Sequence, residues 1–337
     1  AIELANLPTP VEHTKIDLEN SKIINNLWIK RDDKTNSVYG GNKVRKLEFI
    51  IADIKKQGLK KLLTFGGIGT NHGVATALFC RQNDIDCKIF LFDQPTSPSA
   101  IDILILMASF GANLKHKGSL FSTVLHFYLR QFFCRSSYYY LPAGGSNVPG
   151  CIGFVNAAFE LKDQIESGQL DEPDYIYCPV SSTGSLAGLS LGCQLAGVES
   201  KVVGVRVSPS HLGPIPACTK RTVMALVEQT YAYLRKMDSS TPKIKLNDIK
   251  LEESFYGAGY GEPTGEAIKA TEYFEKANIK LDPTYTAKAA AAVLKFCDDN
   301  PDKKILYWHT YNSSDISNLI DGTKFDNIPS ELRYVLN

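Results

Sequence analysis

The segment Lys61-Leu62-Leu63-Thr64-Phe65-Gly66-Gly67-Ile68-Gly69-Thr70-Asn71-His72-Gly73 passes from an apolar run through a glycine-rich turn into a stretch of small and polar residues. A short apolar run closed by glycines reads as a buried strand, Lys61 to Phe65. The residues after the turn, Asn71 to Asn83, read as a helix that Thr70 can cap. The same alternation continues outward in both directions. Upstream, Leu27 to Lys30 reads as a strand. Lys43 to Lys56 reads as a helix, with Val44, Leu47, Ile50, Ile51 and Ile54 at helical spacing. Downstream come strands at Cys87 to Phe92, Tyr138 to Leu141, Tyr175 to Cys178 and Lys201 to Val207, with helices at Phe154 to Glu166 and from about Leu186. Strand, turn and helix in repetition predict an α/β protein built on parallel sheet. Ligands in such folds collect beyond the carboxyl ends of the strands, so the turns are where chemistry is expected. Gln94 to Ser99 and Pro209 to Pro216 read as loops, and polar Lys236 to Lys250 as a long surface loop or insertion. Asp321 to Asn337 carries no motif.

The 337 residues include 37 Lys and Arg against 36 Asp and Glu, a net charge of +1. That balance argues against a nucleic-acid partner, which needs a basic surface to displace counterions. The length fits about two domains. No apolar run approaches the ~18 residues of a membrane span; the most apolar stretch, Ile101 to Phe110, is short and carries Asp102. Ala1-Ile2-Glu3-Leu4 lacks the pattern of a basic segment followed by an apolar one. The cysteines form no C-x-x-C pair and no Cys/His cluster of zinc spacing, so they read as reduced core residues of a cytoplasmic protein without a metal site.

Four turns carry candidate chemistry. In Gly40-Gly41-Asn42-Lys43 the glycines allow a tight approach and put Lys43 in the first turn of a helix. There the helix dipole disfavours its ammonium form, and a depressed lysine pKa is what Schiff-base chemistry requires; a solvated basic face shared with Arg45 and Lys46 is the plainer alternative. The second turn, Gly67 to Gly73, is spaced G-x-G-x-x-x-G and so misses the dinucleotide fingerprint; Asn71 and His72 there are equally placed to cap or pack. The third, Ser181-Ser182-Thr183-Gly184-Ser185-Leu186, lies between a strand and a helix. Small residues, hydroxyls and helix N–H groups can cradle a phosphate, or simply form an N-cap. The fourth joins Gly259-Tyr260-Gly261 to Leu281-Asp282-Pro283-Thr284-Tyr285-Thr286, ahead of an Ala-rich helix.

Taken together with Pro142 to Asn147, Pro263-Thr264 and His309-Thr310, and in this order, these turns resemble the pyridoxal-phosphate enzymes of the D-cysteine desulfhydrase and 1-aminocyclopropane-1-carboxylate deaminase family, of the tryptophan-synthase-β-like fold type. The resemblance covers about residues 30 to 310. It implies an α/β fold with two open, twisted, mostly parallel sheets flanked by helices. The large domain would span 1–48 plus 161–337 and the small one 49–160. It implies pyridoxal 5'-phosphate as cofactor, an amino acid as substrate, and a homodimer. Lys43 would hold the cofactor as a Schiff base, Asn71 its ring hydroxyl, and Ser182, Thr183, Gly184, Ser185 and Leu186 its phosphate. Thr286 would face its pyridine nitrogen. Lys43, Thr70, Tyr260 and Tyr285 would be catalytic, with Thr70, Asn71, His72 and Tyr260 against the substrate.

Family members that open a cyclopropane ring usually carry Glu at the place of Thr286 and Leu at the place of Thr310. A hydroxyl at the ring nitrogen makes a weaker electron sink than a carboxylate. The two threonines therefore favour β-elimination from D-cysteine or a related D-amino acid, giving pyruvate, ammonia and sulfide, over the deaminase reaction. Two departures stand out. The family's Arg after Asn-His is replaced within Gly73-Val74, and its Gly-Gly after His309-Thr310 is Tyr311-Asn312. They motivate a non-catalytic cofactor or amino-acid binder as the alternative of another class. A nicotinamide enzyme using the Gly67 turn would leave Lys43 without a function.

Overall fold

The computed structural model describes residues 1–320 and 327–336. The chain forms two compact units. The first comprises Ala5–Lys46 and Val148–Ser314; the second comprises Ala1–Leu4, Leu47–Asn147 and Asp315–Asn337. In chain order the elements begin with β1 (Val11–Asp17), β2 (Ile23–Arg31), α1 (Asn42–Lys56), β3 (Lys61–Gly67), α2 (Asn71–Arg81), β4 (Asp86–Phe92), α3 (Pro98–Ser109), β5 (Asn113–His116), α4 (Leu120–Phe133) and β6 (Tyr139–Tyr140). They continue with α5 (Val148–Glu166), β7 (Tyr175–Val180), α6 (Gly184–Ala196), β8 (Lys201–Arg206), β9 (His211–Leu212), β10 (Ile215–Pro216), α7 (Lys220–Met237), β11 (Lys250–Glu252), α8 (Gly265–Lys276), α9 (Thr286–Asp299) and β12 (Ile305–His309).

The first unit is built on a six-stranded sheet in the order β1-β2-β12-β7-β8-β11. Only β1 runs antiparallel, against β2; every other pairing is parallel. Both faces of the central strands β7 and β12 are covered, which is why these two read as near-continuous apolar runs, whereas the edge strand β1 alternates buried and exposed residues along its second half. Alternate side chains of β12 divide between the two cores: Ile305 and Tyr307 pack with α8 and α9, Leu306 and Trp308 with α5, α6 and α7. Helices α5 and α6 lie close because α6 presents glycines: a Cβ on Gly192 would come 2.8 Å from Val155, and one on Gly188 would collide with the Cys151 carbonyl. The second unit carries an all-parallel four-stranded sheet, β5-β4-β3-β6. Mostly parallel sheets flanked by helices are the architecture that the sequence predicts.

Several expected boundaries move. The helix expected from Phe154 starts at Val148, so α5 belongs wholly to the first unit, while the chain from Asp315 belongs to the second. Gln94 to Ser99 is not all loop: Ser97 accepts from the Ala100 amide at 3.2 Å, and α3 begins at Pro98. Pro is well placed there, since its missing N–H costs a helix start nothing. Pro209 to Pro216 contains the small hairpin of β9 and β10. Lys236 to Lys250 begins in the last residues of α7 and is irregular up to β11. Part of Asp321 to Asn337 lies outside the described residues. Among the described residues no helix is long and apolar enough to cross a membrane. Seven of the eight cysteines are buried, Cys134 is half-buried, and none is in a disulfide.

Candidate active site

The carboxyl ends of the parallel strands of the first unit gather three of the turns singled out from the sequence. After β2 the chain makes a 3-10 turn at Asp32–Lys34 and reaches Gly40 and Gly41. Gly41 has φ +96°, and a Cβ there would sit 2.9 Å from the Thr310 carbonyl. Only glycine meets both demands. The turn is tied on every side. The Gly41 amide donates to Asp32 O at 2.9 Å and the Asn42 amide to Thr310 O at 3.1 Å. The Gly40 amide donates to Asn312 Oδ1 at 2.7 Å. Asn312, one of the two bulky departures from the family's Gly-Gly, thus holds the backbone ahead of Lys43.

Lys43 opens α1 from this turn. Its Nζ donates to Asn42 Oδ1 at 2.8 Å, and Asn42 Nδ2 donates to Ser185 Oγ at 3.1 Å. Asn42, which sequence reasoning credits only with turn geometry, therefore links the lysine to the start of α6. Burial, assisted by the neighbouring Lys46 and opposed by Asp282, lowers the Lys43 pKa to about 7. Lys46, fully buried over the Phe154 ring, is lowered to about 8, mainly by burial. Further along α1, Arg45 grips Asp32 through Nε and Nη2 at 2.8–2.9 Å and Glu160 through Nη1 and Nη2 at 2.8 and 2.9 Å. Trp308 Nε1 donates to Asp32 Oδ2 at 2.7 Å, and Lys30 pairs with Glu160. Burial raises the Glu160 pKa, but the hydrogen bonds and charges of Arg45 and Lys30 outweigh it and bring it to about 2.

Between β7 and α6, Ser181, Ser182 and Thr183 lead into Gly184-Ser185-Leu186. Thr183 stands at φ +70°, ψ −33°, a left-handed conformation that a β-branched residue seldom adopts. Such strain persists where the surroundings enforce it, and it clusters at ligand sites. The Gly184 amide donates to the Ser182 carbonyl at 2.9 Å; the first amides of a helix have no acceptor within the helix, so those of Ser185 and Leu186, with the hydroxyls beside them, form a donor set suited to a phosphate.

The fourth turn is a buried carboxylate motif. Asp282 accepts from the amides of Thr284, Tyr285 and Thr286 at 2.7–3.1 Å and from Thr286 Oγ1 at 2.6 Å. The Asp282 amide in turn donates to Thr286 Oγ1 at 2.7 Å. Burial still raises the Asp282 pKa, against these bonds. The Tyr260 and Tyr285 hydroxyls share a short hydrogen bond, and burial raises the pKa of each. Tyr39 and Tyr311 have raised pKa values too, first by burial; the Asp282 charge adds to it in both. Behind them Lys288, wholly buried, donates to the carbonyls of Tyr256 at 2.6 Å and Gly259 at 3.1 Å, across the base of the loop that carries Tyr260. His309 is fully buried, and burial drops its pKa to about 4; its ring nitrogens have no hydrogen-bond partner among the described residues.

Lys43, Ser182 to Leu186, Tyr260, Tyr285 and Thr286 thus all lie in the first unit; Thr70, Asn71 and His72 lie in the second. In the second unit Thr70 caps α2 by accepting from the Gly73 amide at 3.3 Å. His72 is buried, with Nε2 2.9 Å from Thr64 Oγ1 and Nδ1 3.4 Å from Thr76 Oγ1. Among the described residues no three His, Cys, Asp or Glu side chains converge as a metal site. The first unit's residues fit pyridoxal phosphate on their own chemistry. They offer an amine whose pKa burial lowers to about 7, a donor-lined helix start for a dianion, and a hydroxyl already oriented by a carboxylate.

Comparison with known proteins agrees with this fit. A protein of Thermotoga maritima named as a proposed 1-aminocyclopropane-1-carboxylate deaminase is 31% identical over 322 residues, 92% of this chain and 95% of its own. The D-cysteine desulfhydrase of Klebsiella pneumoniae is 30% identical over 326 residues, 92% of this chain and 93% of its own. A crystal structure of an ACC deaminase homologue shares the fold with a TM-score of 0.77 at 24% identity, over 97% of this chain and 96% of that one. The pattern of the pyridoxal-phosphate dependent enzymes matches residues 2–310. The chain belongs to that family of enzymes, and pyridoxal phosphate is its cofactor.

Proposed function

We propose that the protein is a lyase that eliminates the β-substituent of D-cysteine or a closely related D-amino acid, releasing sulfide, pyruvate and ammonia. The observation that carries this reading is the state of Thr286. Its hydroxyl spends its proton on Asp282 Oδ2 and receives the Asp282 amide on one lone pair. Placed against the ring nitrogen, as the resemblance implies, it would present a neutral group and not a carboxylate. When bound, pyridoxal phosphate supplies an electron sink for the bond broken at Cα. With a modest sink, elimination is favoured, because the electron pair freed at Cα leaves with the β-substituent.

The chain's own residues supply the rest. The start of α6 would hold the phosphate, and Asn42, bonded to Ser185 there, orients the Lys43 amine. That amine, half neutral at its pKa of about 7, takes the Cα proton at Nζ. The paired hydroxyls of Tyr260 and Tyr285 stay protonated at neutral pH and hold a proton at Oη for the departing sulfur. The enamine that results from loss of hydrosulfide hydrolyses to pyruvate and ammonia. In this reading Asn71 and Thr70 keep the cofactor-hydroxyl and substrate roles that the resemblance implies, while His72 buttresses β3 through Thr64.

The test is a substrate panel on purified enzyme supplied with pyridoxal phosphate, with Lys43→Ala alongside. Sulfide and pyruvate from D-cysteine, far above those from L-cysteine, and loss of both in Lys43→Ala are the expected results. Ammonia from 1-aminocyclopropane-1-carboxylate with no sulfide from D-cysteine would transfer the protein to the deaminase reaction. Bound cofactor with turnover of nothing on the panel would favour a binding protein.

A further inference from the structure

The second unit holds a cavity of its own. Its four-stranded sheet ends at β5, which pairs with β4 alone among the described residues. Beside that open edge lies the C-terminal stretch 327–336. Ile328, Leu332 and Val335 bury themselves to hold it there, and Asn327 Nδ2 donates to the Ala108 carbonyl at 3.4 Å. Residues 111–117 and 327–333 enclose about 680 Å³, a size that suits a small molecule. The lining is cationic. Lys115, His116 and Lys117 come from one wall and Arg333 from the other, and Glu331 is the one carboxylate among the described lining residues. Three of the four cationic side chains are held by the protein: Lys117 Nζ lies 5.2 Å from the centre of the Phe90 ring, His116 Nε2 is 2.7 Å from Asp93 Oδ1, and Arg333 Nε donates to the Ile328 carbonyl at 3.3 Å. The Lys115 ammonium is exposed and has no hydrogen-bond or ion-pair partner among the described residues. The Glu331 pKa is lowered first by its own amide and the Ser330 hydroxyl, and then by the charges of His116 and Lys115 on the facing wall. The strand edge adds backbone donors. The Lys117 amide donates to the Leu91 carbonyl at 2.9 Å, so by alternation the amides of Leu114 and His116 turn away from β4 to the open edge, where no carbonyl among the described residues accepts them.

We infer that this cavity binds a small polyanion, a phosphate ester or a di- or tricarboxylate, at a site separate from the active site. Three features select that class. First, cations from two segments more than 200 positions apart in sequence converge on one concavity. A ligand with several anionic oxygens meets them together, and charge-assisted hydrogen bonds are the strong ones. Second, the outward amides of β5 suit the same oxygens, since oriented backbone N–H groups are a recurrent part of anion sites. Third, among the described lining residues the His116 imidazole is the one aromatic ring, so recognition rests on charge and hydrogen bonds and not on stacking. Glu331 is exposed, and an exposed carboxylate competes only weakly for these cations. At roughly 30 Å³ for each water, the cavity has room for about twenty, far more than one inorganic phosphate displaces. Every lining residue belongs to the second unit, so the inference stands whichever amino acid the enzyme consumes.

Isothermal titration of inorganic pyrophosphate, and separately of citrate, into enzyme loaded with pyridoxal phosphate tests this at neutral pH and low ionic strength. The bound cofactor keeps the phosphate cradle of the first unit filled. At least one of the two anions is expected to bind, at one site per chain. Lys115→Glu is expected to weaken that binding roughly tenfold and Glu331→Gln to tighten it roughly threefold, because exposed charges each contribute modestly. Lys243→Glu, which reverses an exposed lysine of the first unit, is expected to leave it unchanged. All three side chains are exposed, so melting profiles should not move. Binding of pyrophosphate alone assigns the site to phosphate esters, and binding of citrate alone to carboxylates. Failure of both to bind at millimolar concentration overturns the proposal. So does binding that Lys115→Glu leaves intact, or that Lys243→Glu weakens as much.

Discussion

Lys43 is kept reactive by what surrounds it. Its hydrogen-bond partner is the neutral Asn42 amide oxygen, and Asp282 opposes the effects of burial and of Lys46 only in part. Between its pKa of about 7 in the fold and the ordinary value of 10.5, the unfolded chain binds more protons than the folded one, so folding is penalised and the penalty fades as pH rises. Apoenzyme carrying Lys43→Met is therefore expected to be more stable than wild-type apoenzyme at pH 7, with the difference closing as pH rises toward 10.5. Urea melts across that range check it, and a difference that grows with pH would contradict the assignment. The candidate lysine was legible from its place after Gly40-Gly41. The Asn42 bridge to Ser185 was not, because it joins residues 143 positions apart through side chains whose directions no local pattern encodes.

At the scale of elements, Lys288 shows how α9 serves the site. The helix begins at Thr286, where Asp282 accepts from its first amides, and its third residue reaches the base of the Tyr260 loop. Replacing Lys288 by Met would leave the Tyr256 and Gly259 carbonyls short of a donor, at a cost of about 1–3 kcal/mol. The expected result is a lower melting temperature with a roughly tenfold loss of turnover. Lys288→Arg, which keeps the charge and the donors, should recover part of both. Elements with one apolar face were readable: α1 from Val44, Leu47, Ile50, Ile51 and Ile54, and β3 from its apolar run. Helix α4 exposes Phe121, Phe132 and Phe133, so its periodicity carries no information about the core. Strand β12 is legible mainly through the motif that follows it, since Ile305 to His309 is short and its faces serve two different cores.

Across the whole first unit, one buried ionic network ties Thr9, β2, α1, α5 and β12 together. Thr9 Oγ1, Arg45 and Trp308 converge on Asp32, and Lys30 and Arg45 converge on Glu160. Removing one charge from such a set leaves others uncompensated, so Glu160→Gln is expected to cost about 3–5 kcal/mol. The Glu160 carboxylate has its pKa depressed from 4.5 to about 2. Its contribution is complete above pH 4.5 and is lost as pH falls toward 2, so the stability gap between wild type and Glu160→Gln should narrow over that interval and nowhere above it. Denaturant melts in an acid pH series measure this. The two-sheet architecture was legible because alternating strands and helices leave few ways to bury both faces of a parallel sheet. The division into units was less so. Helix α5 and the chain after Asp315 go where their packing partners are, and partners distant in sequence leave no mark on local composition.

The uneven burial of the cysteines gives the molecule a built-in reporter. Cys134 closes α4, while the other seven thiols are sealed in the interior. An alkylating reagent applied to the native enzyme should modify one thiol promptly, and the remaining seven only as fast as the chain opens. The mass increments, counted over time, would time the opening of each unit: Cys80 and Cys87 record the second, and Cys151, Cys178, Cys193, Cys218 and Cys297 the first.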